Sequence, residues 1–195
     1  MSIITGYSST VSSVGNITDV IMAGPRKITP TPLNEFNKFV SVTGSGTAYT
    51  LANPGVWTTG ISTAVPGDKI CLLGGQYPFV ANFHMLNSGT ATDPILIEGY
   101  PGKVVRFDGS GIVPGGSGTF EVLCNYTRWR NIGWKKTPNV GVRVSGNYNI
   151  LEGVHAYDNY GPGIKIISER VNPYDLVEAT GNIIRDFIVY RNLIS

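Results

Sequence analysis

The chain has 195 residues, 42% of them hydrophobic and only 14% charged, with 25 glycines and 10 tyrosines; this suits a single domain of strands joined by turns better than a helical one. A net charge of +2 is too small to argue for a nucleic acid or an anionic membrane as partner, and no stretch reaches the ~18 unbroken apolar residues of a membrane span. Cys71 and Cys124 match no metal motif and read as buried free thiols.

Residues 1–38 differ from the rest. Ser9, Thr10, Ser12, Ser13 and Gly15 make a polar start, and Pro25, Pro30 and Pro32 punctuate residues 21–33, so the segment reads as an extended arm for attachment or oligomerisation. Its first residues lack the basic and apolar regions of a secretory signal. Opening coils are expected over 39–117. A strand at 39–42 ends at Thr43-Gly44-Ser45-Gly46, and a short helical or irregular segment covers 57–64. Pro66-Gly67-Asp68 turns into a strand at 69–73, Gly74-Gly75-Gln76-Tyr77 turns again, and a loop over 87–94 leads to a strand at 95–98. Tyr100-Pro101-Gly102 then opens a strand at 104–107 that closes on Asp108-Gly109-Ser110-Gly111.

Beyond 118 the sequence repeats itself. Phe120-Glu121-Val122, Val142-Arg143-Val144 and Ile164-Lys165-Ile166 share one apolar-charged-apolar pattern, at 120, 142 and 164, an interval of 22. Thr127-Arg128-Trp129-Arg130-Asn131-Ile132 recurs 22 residues later at 149–154 and again after 33 at 182–187. Short alternating runs at a fixed period are strands that stack on their own copies, and a coil of this length with three strands is a parallel β-helix. Alternation sends Phe120, Val122, Val142, Val144, Ile164 and Ile166 inward and leaves Glu121, Arg143 and Lys165 in one outward column. It likewise puts Trp129, Leu151 and Ile184 inside, with Arg130, Glu152 and Arg185 as a solvated ion-pair column outside, and stacks Trp134 over Ala156. Asn131, Gly153 and Asp186 hold the tight turn. The extra 11 residues fall at 167–180 and make a protruding loop carrying Glu169, Arg170, Asp175 and Glu178. The chain stops at Ser195 where another strand is due, so further chain or another chain is expected to cap the last coil.

Pro66-Gly67-Asp68-Lys69-Ile70, Gly75-Gln76-Tyr77, the run from Asn87 to Ile95, Gly99-Tyr100-Pro101-Gly102 and Phe107-Asp108-Gly109-Ser110 together resemble the opening coils of right-handed parallel β-helix proteins. These are the family 9 polysaccharide lyases and the pectate-lyase-like superfamily, phage tailspikes included. The resemblance covers about 39–195 and concerns structural turns that enzymes and non-enzymes share. The helix before Pro66 is shorter here and rich in Gly and Thr. With the crossover rule, the resemblance implies a right-handed all-β helix of ~22-residue coils with an extended N-terminal arm. It also implies that the strand bearing Glu121, Arg143 and Lys165 floors a carbohydrate cleft, and that the tight turn often carries an asparagine ladder, which only Asn131 matches.

Arg143 and Lys165 could pair with the carboxylates of an acidic sugar. His155, Tyr157, Asp158, Asn159 and Tyr160 combine flat rings with polar groups of the kind that bind sugars, and Lys135 and Lys136 sit one coil earlier. A family 9 lyase would add a lysine-type base and a Ca²⁺-holding acidic cluster on later coils. No tight Asp/Glu cluster stands here, so no metal and no catalytic residue is assigned. Glycoside hydrolysis would need two carboxyls roughly 5–9 Å apart, which Asp158 and an acid of the insertion could supply. Three functions are expected on these grounds: a virion-associated tailspike or fibre protein, homotrimeric, attached by its arm and presenting the β-helix to host glycan; a family 9-like lyase or a hydrolase lacking its catalytic coils, extracellular and needing Ca²⁺ if a lyase; or a non-enzymatic surface adhesin.

Overall fold

The computed structural model describes residues 21–23, 28–113, 119–167, 169–172, 175–177 and 179–192; at 21–23, 169–172 and 175–177 the description is of the backbone. Each full coil contributes one short strand to each of three parallel sheets. Sheet 1 stacks β1 (Ile21–Ala23), β18 (Ile183–Arg185), β13 (Ile150–Glu152), β10 (Thr127–Arg130), β7 (Ile95–Gly99), β4 (Lys69–Leu72), β2 (Lys38–Ser41) and β3 (Gly55–Val56). Sheet 2 stacks β19 (Ile188–Tyr190), β14 (His155–Tyr157), β11 (Gly133–Lys135), β8 (Val105–Asp108) and β5 (Gly75–Pro78). Sheet 3 stacks β15 (Ile164–Ile166), β12 (Val142–Val144), β9 (Phe120–Val122) and β6 (Phe83–Met85). A helix of six residues, α1 (Trp57–Ser62), lies over the first coil. No helix among the described residues is long and apolar enough to cross a membrane.

The pairing register is the one the sequence interval predicts. Val142 lies over Phe120 and under Ile164, and Val144 lies between Val122 and Ile166. Val122 and Val144 are fully buried and Ile166 is 7% exposed, so all three are interior neighbours in successive layers. Trp134 sits over Ala156 as expected, a large side chain alternating with a small one so that layer volume stays constant. The core is aromatic at the opening end, where Trp57, Tyr77, Phe83, Phe107, Phe120, Trp129 and Trp134 form one cluster, with Phe107 and Phe120 ring centroids 4.5 Å apart. Several strands, β5 and β6 among them, depart from the sequence-based expectation. β5 occupies residues read as a turn, because Tyr77 points inward and its hydroxyl donates to the Val40 and Leu73 carbonyls. β6 (Phe83–Met85) carries the triplet pattern of sheet 3, but at an irregular offset from Phe120.

The turns are polar, and asparagine side chains satisfy several of their backbone groups. Asn131, Gly153 and Asp186 each adopt a left-handed backbone (φ 54°, 63° and 52°), which bends the chain between sheets 1 and 2. The asparagine ladders lie elsewhere. Between sheets 3 and 1, Asn149 Oδ1 accepts from the Thr127 N–H (3.0 Å) and hydroxyl (2.7 Å), and Asn182 Oδ1 accepts from the Asn149 N–H (2.9 Å). Beside it, Asn125 Oδ1 accepts from the Asn147 N–H and Asn147 Oδ1 from the Thr180 N–H, each at 2.7 Å. Between sheets 2 and 3, Asn159 Oδ1 takes the Thr137 N–H and Asn192 Oδ1 the Asn159 N–H, each at 3.0 Å.

The arm does not stand off from the solenoid over its described residues. A 3₁₀ turn at Leu33–Glu35 brings Phe36 and Phe39 onto Cys71 and Leu96, forming a second apolar cluster on the outside of sheet 1. Cys71 is buried there, and burial together with the Glu98 charge pushes its thiol up to about 12. Residues 29–31 cross the same face as a strap. Glu98, with no exposed side-chain surface, accepts from the Thr31 N–H (3.2 Å) and hydroxyl (2.7 Å), and pairs with Arg130 (3.1 Å), whose Nη2 donates to the Thr29 carbonyl (2.8 Å). Arg130 and Arg185 both pair with Glu152. The column read as solvated is therefore largely covered, with Arg130 and Glu152 side chains only 16% and 12% exposed. At the far end β1 pairs in parallel with β18, Ile21 opposite Ile183, so the chain's own N-terminal segment covers that edge of sheet 1. In sheets 2 and 3 the outermost strands at this end are β19 and β15. The insertion forms an antiparallel hairpin of β16 (Glu169–Asn172) and β17 (Asp175–Val177), interrupted by a bulge. Glu178 and most of residues 1–27 lie outside the described residues.

Two of these contacts make sharp tests. Asn149→Ala strips the acceptor from two buried Thr127 donors and leaves the Cys124 carbonyl without its 2.9 Å donor. A loss of about 2–4 kcal/mol is expected in urea denaturation. Asp68, in the Pro66-Gly67-Asp68 turn, is 4% exposed and accepts from the Val65 N–H (2.8 Å), Asn37 Nδ2 (2.9 Å) and Lys38 Nζ (2.6 Å). Burial raises its carboxyl pKa, but the hydrogen bonds from Lys38, Val65 and Asn37 and the Lys38 charge outweigh that and hold it below the usual carboxylate value. Its stabilisation is therefore complete above the ordinary Asp pKa of 3.8 and is lost as pH falls through the folded value. Stability of Asp68→Asn measured from pH 7 down to acid should be lower at neutral pH and should fall less steeply below about pH 4.

Candidate functional site

Each three-residue strand of sheet 3 turns its first and third side chains toward the core, Phe83 and Ile164 being only partly buried, and its second away from it. In register these are His84, Glu121, Arg143 and Lys165, one per coil, about 4.8 Å apart along the axis. The structure thus extends the expected three-member column by His84. The signal for it was present in Phe83-His84-Met85, a further triplet of the same pattern, but the irregular offset to Phe120 concealed it.

Glu121 organises this face. Its side chain is only 8% exposed, Oε2 lies 3.1 Å from His84 Nε2, and Oε1 lies 2.7 Å from an Arg143 guanidinium nitrogen. A buried carboxylate between two donors holds both in place, so the imidazole and guanidinium stand at set positions on the sheet. Glu121 is therefore a support for the neighbouring donors, with its oxygens already engaged. Lys165 is half-buried and, among the described residues, makes no ion pair.

The other candidate side chains lie on a different face. His155 and Tyr157 project from β14 on sheet 2, and the Tyr157 ring stacks on Tyr190 with centroids 5.0 Å apart and planes 7° from parallel. Burial, with the nearby Arg106 charge, lowers the His155 pKa. Asp158 has a left-handed backbone (φ 56°), and its two oxygens take hydrogen bonds from Arg191 at 2.6 and 2.9 Å. Asn159, read as a surface donor, is 1% exposed and engaged in the turn ladder. Tyr160 is 62% exposed in the turn between sheets 2 and 3. Lys135 pairs with Asp108 at 2.9 Å. The structure does not gather the eight candidates into one site. It separates Glu121, Arg143 and Lys165 on sheet 3 from His155 and Tyr157 on sheet 2, with Asp158, Asn159 and Tyr160 in the turn between.

Among the described residues no group of three or more His, Cys, Asp or Glu side chains could hold a metal ion, so they offer no cage for the Ca²⁺ that a lyase reading would require. Asp158, the acid considered for hydrolysis, is bound to Arg191, and the insertion's acids are described by backbone alone or lie outside the described residues.

The sequence profile of a family described as "Pel9A-like, right handed beta helix region" matches residues 38–193. Two solved structures share the fold. "Crystal structure of pectate lyase Pel9A" superposes with a TM-score of 0.61 at 15% identity, covering 77% of this chain and 46% of that one. "Rhamnogalacturonan lyase" superposes with a TM-score of 0.59 at 16% identity, covering 78% and 51%. The chain spans about half the length of both. No curated protein matches the sequence.

His155 allows a test of its surroundings. Its folded pKa is depressed, so its contribution to stability is complete above the ordinary histidine value near 6.5 and is lost as pH falls through the folded value. Urea midpoints at pH 7 and pH 5 should therefore differ more in the wild type than in His155→Gln.

Proposed function

Because the chain belongs to the Pel9A-like right-handed β-helix family, we propose that it supplies the opening coils of a polysaccharide-acting β-helix and binds an acidic glycan along sheet 3. The observation that carries this reading is the outward column on that sheet, where Arg143 and Lys165 occupy the same register position on successive coils beside His84 and the buried Glu121. Cations repeating along the coil axis match a polymer that carries one carboxylate per uronate ring. Guanidinium and ammonium groups form the strong, charge-assisted kind of hydrogen bond with such carboxylates. The two structural neighbours are named for pectate and for rhamnogalacturonan, both polysaccharides that contain uronate.

The reading of a virion-attached homotrimer draws no comparable support from the family or from the neighbours. The described arm residues from 28 onward lie against sheet 1 of their own chain, and Glu98 and Arg130 bind them there.

Affinity electrophoresis or calorimetry with polygalacturonate tests the proposal. Binding should weaken with salt, and Arg143→Ala combined with Lys165→Ala should reduce affinity at least about tenfold, or 1.4 kcal/mol. Glu121→Gln removes the charge that holds the Arg143 guanidinium in place and should weaken binding as well. Unchanged affinity in the double variant would remove sheet 3 from the glycan site.

A further inference from the structure

The strap leaves a cavity of about 320 Å³ on the side of sheet 2, at the lower end of the ~300–1,000 Å³ usual for small-molecule sites. Arg106, Lys103, His155 and Asn131 provide its polar groups, and Tyr100 and Ile28 part of its apolar wall. No carboxylate lines it among the described residues. The acids nearby are taken or displaced: Glu98 is held by Thr31 and Arg130, Asp108 pairs with Lys135, and Asp186 sits one coil on in the turn column.

Among the described residues Arg106 has no carboxylate partner. Its Nη1 donates to the Val105 carbonyl at 2.7 Å, while its Nε is buried and has no hydrogen-bond partner. It can lie in this position because residue 133 on the next coil is glycine; a Cβ there would stand 2.5 Å from Arg106 Cδ. An unmet donor on a charged group is costly, and with no acid among the described lining residues the guanidinium's charge favours a carboxylate in the cavity. The groove on the other side of the strap is less suited to an anion. It carries Arg128, Arg130 and Arg185, but Glu152 within it already pairs with two of them.

We propose that this cavity binds a single small sugar acid, its carboxylate received by Arg106 and Lys103 and its ring lying against Tyr100 and Ile28. The apolar wall and the volume favour a carboxylate carried on a ring over a bare inorganic anion, and neutral His155 and Asn131 are placed to meet hydroxyls. The site lies on a different face from the polysaccharide column and does not depend on it.

His155 reports occupancy. The charged or titratable groups around it are Arg106 on β8, Lys103 in the loop before β8, Tyr157 on its own strand and Asp186 in the following turn, while its sheet neighbours Gly133 and Ile188 are neutral. An added carboxylate beside Arg106 should raise the imidazole pKa that burial and Arg106 now depress. The experiment is an NMR titration of the His155 ring signals in the full chain with galacturonate, galactose and inorganic phosphate as probes. Saturable shifts with galacturonate, a higher His155 pKa in its presence and silence from galactose are expected. Arg106→Gln and, at the exposed rim, Lys103→Ala should each weaken binding by about tenfold or more. Combined Arg143→Ala and Lys165→Ala should leave this binding intact, which separates the outcome from that of the sheet 3 proposal. The inference is overturned if galactose or phosphate binds as tightly as galacturonate, if His155 does not respond, or if both cavity variants bind like the wild type.

Discussion

Parallel strands of two to five residues cannot hold a sheet together by themselves, and among the described residues there is little else. What sustains them is that coils stack in phase, so each strand inside a sheet has a neighbour on both faces of the coil and interior side chains lie on their counterparts. Val122, Val144 and Ile166 are one such run, Trp134 and Ala156 another. Burying each large interior side chain contributes about 1.5–3 kcal/mol, and in-phase stacking lets every coil repeat that contribution. The insertion at 167–180 is tolerated for the same reason: it leaves the solenoid as a hairpin and returns with the register of sheet 1 intact, Ile150 opposite Ile183.

Stacking also brings polar backbone groups at the corners out of the reach of water. The asparagine ladders answer this, since one amide offers an acceptor and two donors and can serve the coils on both sides. Asn149 shows how. Its oxygen accepts from Thr127, its amide donates to the Cys124 carbonyl, and its own N–H is taken by Asn182. Such residues are unavailable to a ligand, and Asn159 belongs with them.

The three outer faces have separate fates. Sheet 1 is covered by the chain's own N-terminal segment, whose Thr31 reaches the buried Glu98 and whose Phe36 seals Cys71 and Leu96. Sheet 2 carries Arg106, His155 and the stacked Tyr157 and Tyr190. Sheet 3 presents its column of His84, Glu121, Arg143 and Lys165, one per coil and in register.

Periodicity made the solenoid, its register and its inward columns readable from residues 118–195, because identical coils must repeat identical requirements. The same logic applies to the ladders at Asn125 and Asn147, Asn149 and Asn182, and Asn159 and Asn192, whose spacings match those of the strands. A reading centred on the tight turn at Asn131 passes over them. Less was legible in the opening coils, where β5 and β6 lie at irregular offsets. The composition of one strand carries no record of which distant segment lies across it. Only the folded chain brings Thr31 to Glu98, separates His155 from Arg143, and sets Arg106 beside a cavity with no acid among its described lining residues. These are contacts between residues far apart in sequence, and a local pattern of side chains cannot specify them.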